Sequence, residues 1–126
     1  MAVTGFRELM AAAGAVVETI DTAAAMQAHQ AGDAVFVDVR EGHEWAQGHI
    51  PGAVHAPRGF LEFIADPQGP MHKPELSSGR KLMVYCGSGG RSLLAAKTLH
   101  DMGITDIVNV GGGFQSWAGG GGAVES

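Results

Sequence analysis

The sequence contains one cysteine, Cys86, in 126 residues. A single thiol cannot form an intramolecular disulfide, which excludes the disulfide-stabilised folds of small secreted domains. A lone thiol suits a reducing compartment, and we expect a cytoplasmic protein.

Basic residues and long apolar runs are also scarce. Eight Lys and Arg stand against 13 Asp and Glu, and the net charge is -5. The cations are spread along the chain, whereas nucleic-acid binding needs them clustered, so we expect no nucleic-acid partner. No stretch approaches the roughly 20 apolar residues of a membrane helix, so we expect no membrane partner. The alanine-rich run over 11–17 is short and broken by Gly14, which favours a surface helix over a signal peptide.

What is present predicts an α/β domain. The hydrophobic fraction of 45% supports a real core, and the length fits one domain. Apolar runs at 34–39 and 81–85 are typical of buried parallel strands, and helical patterns alternate with them. We therefore expect a central, mostly parallel sheet of four to five strands with helices on both faces.

Helix-ending residues and changes in composition predict where the elements and segments of the chain begin and end. We expect a first helix from Phe6 to Ala13 that Gly14 ends, and a helical segment over 58–65. The predicted organisation is an N-terminal helix or extension over 1–15, the sheet-containing domain over 16–118, and a flexible glycine-rich tail over 119–126.

Cys86 lies where an apolar strand ends and a helical pattern begins. The loop between them reads Gly87-Ser88-Gly89-Gly90-Arg91-Ser92. Inward-facing N–H groups and a helix N-terminus lower a thiol pKa and favour an anion beside it, which predicts a nucleophilic Cys86. Arg91 adds a cation for an anionic donor, and Ser88 and Ser92 add hydroxyl groups. Ser92 is equally suited to cap the helix.

This loop resembles the active-site loop of the rhodanese (sulfurtransferase) family. Further segments resemble other signatures of that family, in its order: Val37-Asp38-Val39-Arg40, Glu44-Trp45, Gly48-His49-Ile50-Pro51-Gly52-Ala53, and Asn109-Val110-Gly111-Gly112-Gly113 with Trp117. The resemblance implies a rhodanese-like three-layer domain. It also implies a sulfurtransferase in which Cys86 takes sulfane sulfur from a small anionic donor such as thiosulfate. A thiol, cyanide or a protein acceptor then removes it, without metal or cofactor.

Two other functions remain open. A carrier module would receive sulfur on Cys86 from a partner protein and pass it on with little turnover of small donors. A phosphatase or arsenate reductase is disfavoured, because those enzymes use a Cys-x5-Arg loop and Cys86 to Arg91 is Cys-x4-Arg. A lone thiol also lacks the resolving cysteines that arsenate reductases often use.

Several residues outside the loop have mainly structural interpretations. The resemblance implies that Asp38 and Arg40 hold loops near the site, and the spacing of Arg40 and Glu44 allows an ion pair. Trp45 and Trp117 suit core or lid positions.

The remaining cations and histidines are less informative. Arg58 is a candidate for the pocket rim, together with His72 and Lys73, although a solvated surface set is the commoner case. His43, His49 and His55 are spaced by six residues, which fits no common zinc pattern, so we expect no metal.

Overall fold

The computed structural model describes residues 2–126. Its centre is a five-stranded sheet in the order β1-β5-β4-β2-β3, and all four neighbouring pairs are parallel. The strands are Glu18–Ile20 (β1), Ala34–Asp38 (β2), Val54–His55 (β3), Lys81–Tyr85 (β4) and Ile107–Val110 (β5). The predicted α/β architecture with a parallel sheet is confirmed.

Helices cover both faces of the sheet. They are Phe6–Val16 (α1), Thr22–Ala31 (α2), Gly42–Gln47 (α3), Leu61–Ala65 (α4), Gly90–Asp101 (α5) and Gly113–Gly119 (α6). Short 3-10 turns occupy Arg58–Phe60 and Pro74–Ser77. Helices α4 and α5 contribute to the core on one face, and α2 and α6 contribute to the core on the other. No helix within residues 2–126 combines the length and apolar character needed to cross a bilayer.

The central strand β4 divides its side chains between these two cores. Leu82 and Val84 face the cluster that contains α5, whereas Met83 and Tyr85 face the cluster that contains Trp117. This alternation follows from the two-residue period of a strand. Cys86 continues the α5 side just past the carboxyl end of β4, where ligands of parallel α/β sheets commonly bind.

Helix α1 is longer than the sequence pattern predicts. It continues through Gly14 to Val16, whereas we expected an end at Ala13. One interior glycine costs only about 1 kcal/mol relative to alanine, and α1 packs along α5 with Ala13 fully buried. Tertiary packing therefore overrides the local stop signal.

The C-terminal segment also differs from the expected flexible tail over 119–126. Helix α6 includes Gly119, and the indole Nε1 of Trp117 donates to the carbonyl of Ala123 at 2.7 Å. His49 and Glu125 then form an antiparallel bridge with N–H···O distances of 2.8 and 3.0 Å. These bonds fold the segment back onto the domain, because the glycines permit the turn that the indole and the bridge then hold.

Candidate active site

The Cys86 side chain is almost fully buried between the end of β4 and the loop that leads to α5. It is 1% exposed, and its Sγ accepts a hydrogen bond from the backbone N–H of Gly89 at 3.0 Å. Gly89 has φ +113°, a conformation that favours glycine, and directly precedes the first residue of α5. The predicted placement of Cys86 between a strand end and a helix start is therefore observed.

The first turn of α6 holds the carbonyl side of this loop. The N–H of Phe114 donates to the carbonyl of Cys86 at 2.8 Å, and that of Gln115 donates to the carbonyl of Gly87 at 3.0 Å. Gly113 makes the approach possible, since a Cβ there would lie 2.5 Å from the Cys86 carbonyl oxygen. These two bonds fix the backbone of Cys86 and Gly87 against α6, while the N–H of Gly89 binds the sulfur. Sequence reasoning missed this contact, although the glycine run before α6 signals a close backbone approach.

The pKa of Cys86 lies below its ordinary value. Burial by itself raises it, but hydrogen bonds from the Ser92 side chain, and from the N–H groups of Ser92, Gly89 and Ser88, outweigh that effect. Each of these groups stabilises the thiolate more than the thiol. The loop therefore increases the fraction of thiolate near neutral pH, which is the nucleophilic form of cysteine.

Ser92 does not cap the helix, which was one of its two sequence interpretations. Helix α5 begins at Gly90, so Ser92 lies in its first turn and is fully buried. Its hydroxyl lies 2.5 Å from Oδ1 of Asn109 and 3.2 Å from the Gly89 carbonyl. The amide of Asn109 in turn donates to the Thr19 hydroxyl at 3.2 Å. This network anchors the loop to β5 and β1, and sequence reasoning did not assign Asn109 to it.

Arg91 lies over the start of the loop and is paired with Glu44. Its Nη1 and Nη2 donate to the two carboxylate oxygens at 2.8 and 3.1 Å. The hydrogen bond from Arg91 is the largest cause that lowers the pKa of Glu44 to about 2. A Cβ on Gly87 would lie 3.2 Å from Nη2, which places the guanidinium beside the loop. The ion pair between Arg40 and Glu44 that their spacing allowed does not form. The Glu44 carboxylate, on α3, accepts hydrogen bonds from Arg91 instead.

Arg40 is bound by Asp38 and the backbone. Its Nε and Nη2 donate to the Asp38 carboxylate at 3.0 and 2.8 Å, and Nη2 also donates to the Gly48 carbonyl at 2.7 Å. Both side chains are buried, and the guanidinium lies 4.3 Å from the centre of the Phe114 ring. These contacts hold Arg40 between Asp38, the Gly48 carbonyl and the Phe114 ring.

A cleft of about 310 Å³ opens beside the loop. Its walls come from α3, α6 and the residues that follow β2 and β4. The lining residues are Arg40, Glu44, Gln47, Gly48, Gly87, Phe114 and Gln115. The cleft meets the loop at Gly87.

The candidate rim cations do not line this cleft. The guanidinium of Arg58 donates to Glu62 and Thr98 at 3.1 Å each, and it borders a different groove between α1 and α5. His72 contacts the Ile64 carbonyl and the Ser77 hydroxyl, and the Lys73 ammonium donates to the His55 carbonyl. Each of these groups hydrogen-bonds other residues of the domain, and none lines the cleft beside Cys86. The structure therefore does not support the prediction that Arg58 forms part of the pocket rim.

The other aromatic and histidine residues have structural surroundings. Trp45 stacks on His49 and His55, with ring centres 3.5 and 4.7 Å apart, and Trp117 packs in the core beside Phe36. Across residues 2–126, no three His, Cys, Asp or Glu side chains converge in a way that would hold a metal ion.

Comparison with known proteins identifies relatives of this chain. It is 37% identical over 84 residues to the Bacillus subtilis "Putative sulfur carrier protein YrkF", which covers 67% of this chain. The chain spans only 41% of that relative's length. It is also 36% identical over 85 residues to the thiosulfate sulfurtransferase GlpE of Pseudomonas savastanoi, covering 67% of this chain and 72% of that enzyme.

A solved structure matches nearly the whole chain. It is a Rhodopseudomonas palustris protein of unknown function, described as a "Possible Tyrosine Phosphatase", with 40% identity and a TM-score of 0.92. The match covers 99% of this chain and 98% of that one. The family model that matches the chain is the Rhodanese-like domain, over residues 21–119.

Proposed function

The chain belongs to the rhodanese-like domain family of sulfurtransferases, and on that basis we propose that it transfers sulfane sulfur through a persulfide on Cys86. The observation that carries the proposal is the environment of the Cys86 sulfur. The thiol is buried, lies beside a cleft, accepts an N–H bond from Gly89 and has a lowered pKa. Such a thiol is an activated nucleophile.

The first half-reaction loads the cysteine. The Cys86 thiolate attacks the outer sulfur of thiosulfate, a new S–S bond forms, and sulfite leaves with the electron pair of the broken S–S bond. The persulfide that remains carries one negative charge on its outer sulfur. N–H groups from Gly87 to Arg91 stabilise this charge, and the Arg91 guanidinium, held in an ion pair with Glu44, lies beside the loop.

The second half-reaction unloads it. Cyanide or a thiolate attacks the outer sulfur, thiocyanate or a new persulfide leaves, and the Cys86 thiolate is restored. Every step exchanges one nucleophile for another at the transferred sulfur with balanced electrons, so the cycle as proposed needs neither a cofactor nor a metal. Because Cys86 is the only cysteine among these 126 residues, none of them supplies an acceptor thiol.

A carrier role is the second candidate, and the name of the YrkF relative favours it. In that case a partner protein loads Cys86, and turnover of thiosulfate is slow. The name of the R. palustris neighbour points instead to a phosphatase. The six-residue loop from Cys86 to Arg91 argues against phosphatase activity, because it is one residue shorter than the Cys-x5-Arg loop that surrounds a tetrahedral phosphate.

Intact-mass analysis tests the proposal directly. Incubation with thiosulfate should add about 32 Da, one sulfur atom, to the reduced protein, and cyanide should remove it as thiocyanate. The Cys86→Ser variant is the matched control and should do neither. Absence of the adduct would contradict the use of thiosulfate, and loading only from a protein persulfide would establish the carrier role. Rapid hydrolysis of an aryl phosphate would replace the proposal with a phosphatase.

A further inference from the structure

The one cation of the Cys86 loop, Arg91, already binds a carboxylate. Both terminal nitrogens of Arg91 donate to Glu44, at 2.8 and 3.1 Å, in a two-pronged pair beside Gly87. The Glu44 side chain is 27% exposed, so solvent screens it only in part. An anion that approaches Arg91 must therefore compete with a carboxylate that is fixed in place.

The charges around the cleft cancel pair by pair. Arg40 is neutralised by Asp38 in a buried pair at 2.8 Å, and Arg91 is neutralised by Glu44. The ammonium of Lys73 donates to a backbone carbonyl instead of facing the cleft. The Cys86 thiolate adds one further negative charge. A doubly charged donor thus meets no uncompensated positive charge among the lining residues.

We propose that Glu44 is a specificity-determining residue that selects against dianionic sulfur donors and in favour of singly charged organic ones. This inference rests on the sulfurtransferase function proposed above. Each additional negative charge on a donor in the cleft is repelled by the Glu44 carboxylate, because like charges oppose each other more strongly in a partly buried site than in open water. Glu75, in the 3-10 turn Pro74–Ser77, is exposed and does not line the cleft, which makes it a matched control.

Two donors of similar shape and different charge measure the effect. Thiosulfate carries two negative charges, whereas methanethiosulfonate carries one, because a methyl group replaces one oxygen. In both cases the Cys86 thiolate bonds to the outer sulfur and the S–S bond of the donor breaks. The electron pair leaves on sulfite or on methanesulfinate. The two values of kcat/KM, measured with cyanide as acceptor, give a donor ratio for each protein.

The Glu44→Gln variant removes the charge and keeps a side chain of the same length with one acceptor oxygen. We expect the ratio of kcat/KM for thiosulfate over methanethiosulfonate to rise about tenfold, mainly through a lower KM for thiosulfate. The Glu75→Gln control should change the ratio less than about twofold, because it removes the same net charge outside the cleft. Glu44→Asp keeps the charge and should leave the ratio near that of the unmodified protein.

The opposite result identifies a positioning role. If Glu44 only orients Arg91, Glu44→Gln will lower kcat/KM for both donors equally and leave their ratio unchanged, which overturns the inference. A tenfold rise in both Glu44→Gln and Glu75→Gln would also overturn it, since overall charge would then be the cause. If the unmodified protein transfers sulfur from neither donor, the proposed function itself fails, and this result is distinct from an unchanged ratio.

Discussion

Replacing Gly113 by alanine tests how the fold shapes the loop around Cys86. Gly113 has φ +57°, and an added Cβ would lie 2.5 Å from the Cys86 carbonyl oxygen and 2.7 Å from the carbonyl of Gly87. Real Cβ atoms do not approach backbone this closely, so the start of α6 must move away from the loop. That movement lengthens the bonds that Phe114 and Gln115 donate to the loop carbonyls.

Two effects determine the stability that the Gly113→Ala variant loses. A left-handed conformation costs alanine about 1 to 2 kcal/mol. The two lost hydrogen bonds are worth about 1 kcal/mol each. We expect the Gly113→Ala variant to lose about 3 kcal/mol of unfolding free energy, which corresponds to a decrease in Tm of roughly 10 °C for a domain of this size.

Gly119→Ala is the matched control in the same helix. Nothing lies within 4 Å of a Cβ at Gly119, and its φ is not positive. Alanine there should be neutral or stabilise the helix by up to about 1 kcal/mol. Urea unfolding of both variants measures the difference. Iodoacetamide alkylation of Cys86 near neutral pH measures the loop, and it should slow in Gly113→Ala as the N–H groups turn away from the sulfur.

Equal stability of the two variants would refute the reasoning, because it would mean that α6 does not contact the loop as described. A large loss of stability with an unchanged rate of alkylation would show that α6 supports the fold without orienting the groups around the thiol.

Two further predictions concern groups around the site. Because the pKa of Cys86 is lowered, its thiolate should react with iodoacetamide at pH values where an ordinary cysteine is protonated. The Ser92→Ala variant should shift the pH profile of this alkylation to higher pH. A profile that coincides with that of the unmodified protein would exclude a role for the Ser92 hydroxyl. Asp38→Asn should destabilise the protein by about 3 kcal/mol in urea unfolding, because it leaves the buried Arg40 charge facing a neutral amide. Asp33→Asn, at an exposed position, should have almost no effect, and similar losses in both variants would contradict the importance of the buried pair.

Sequence reasoning identified the local features of the molecule well. The alternation of strands and helices was readable because each element carries its own periodicity. The position of Cys86 was readable because a strand pattern, a glycine-rich loop and a helix pattern follow one another directly. Its errors concern contacts between distant segments. The Arg58 guanidinium donates to the Thr98 hydroxyl on α5. Helix α1 continues past Gly14 because it packs against the same helix.

The sequence by itself determined the chemistry available at the loop: one thiol, a run of small residues that permits a tight turn, and one arginine. Only the tertiary structure decided what faces that loop. In the strand order β1-β5-β4-β2-β3, the central β4 has β2 on one side and β5 on the other. The segment after β2 therefore brings Glu44 to Arg91, and the segment after β5 brings Gly113 against Cys86. Strand order is a property of the whole packed sheet, so no local pattern encodes these contacts.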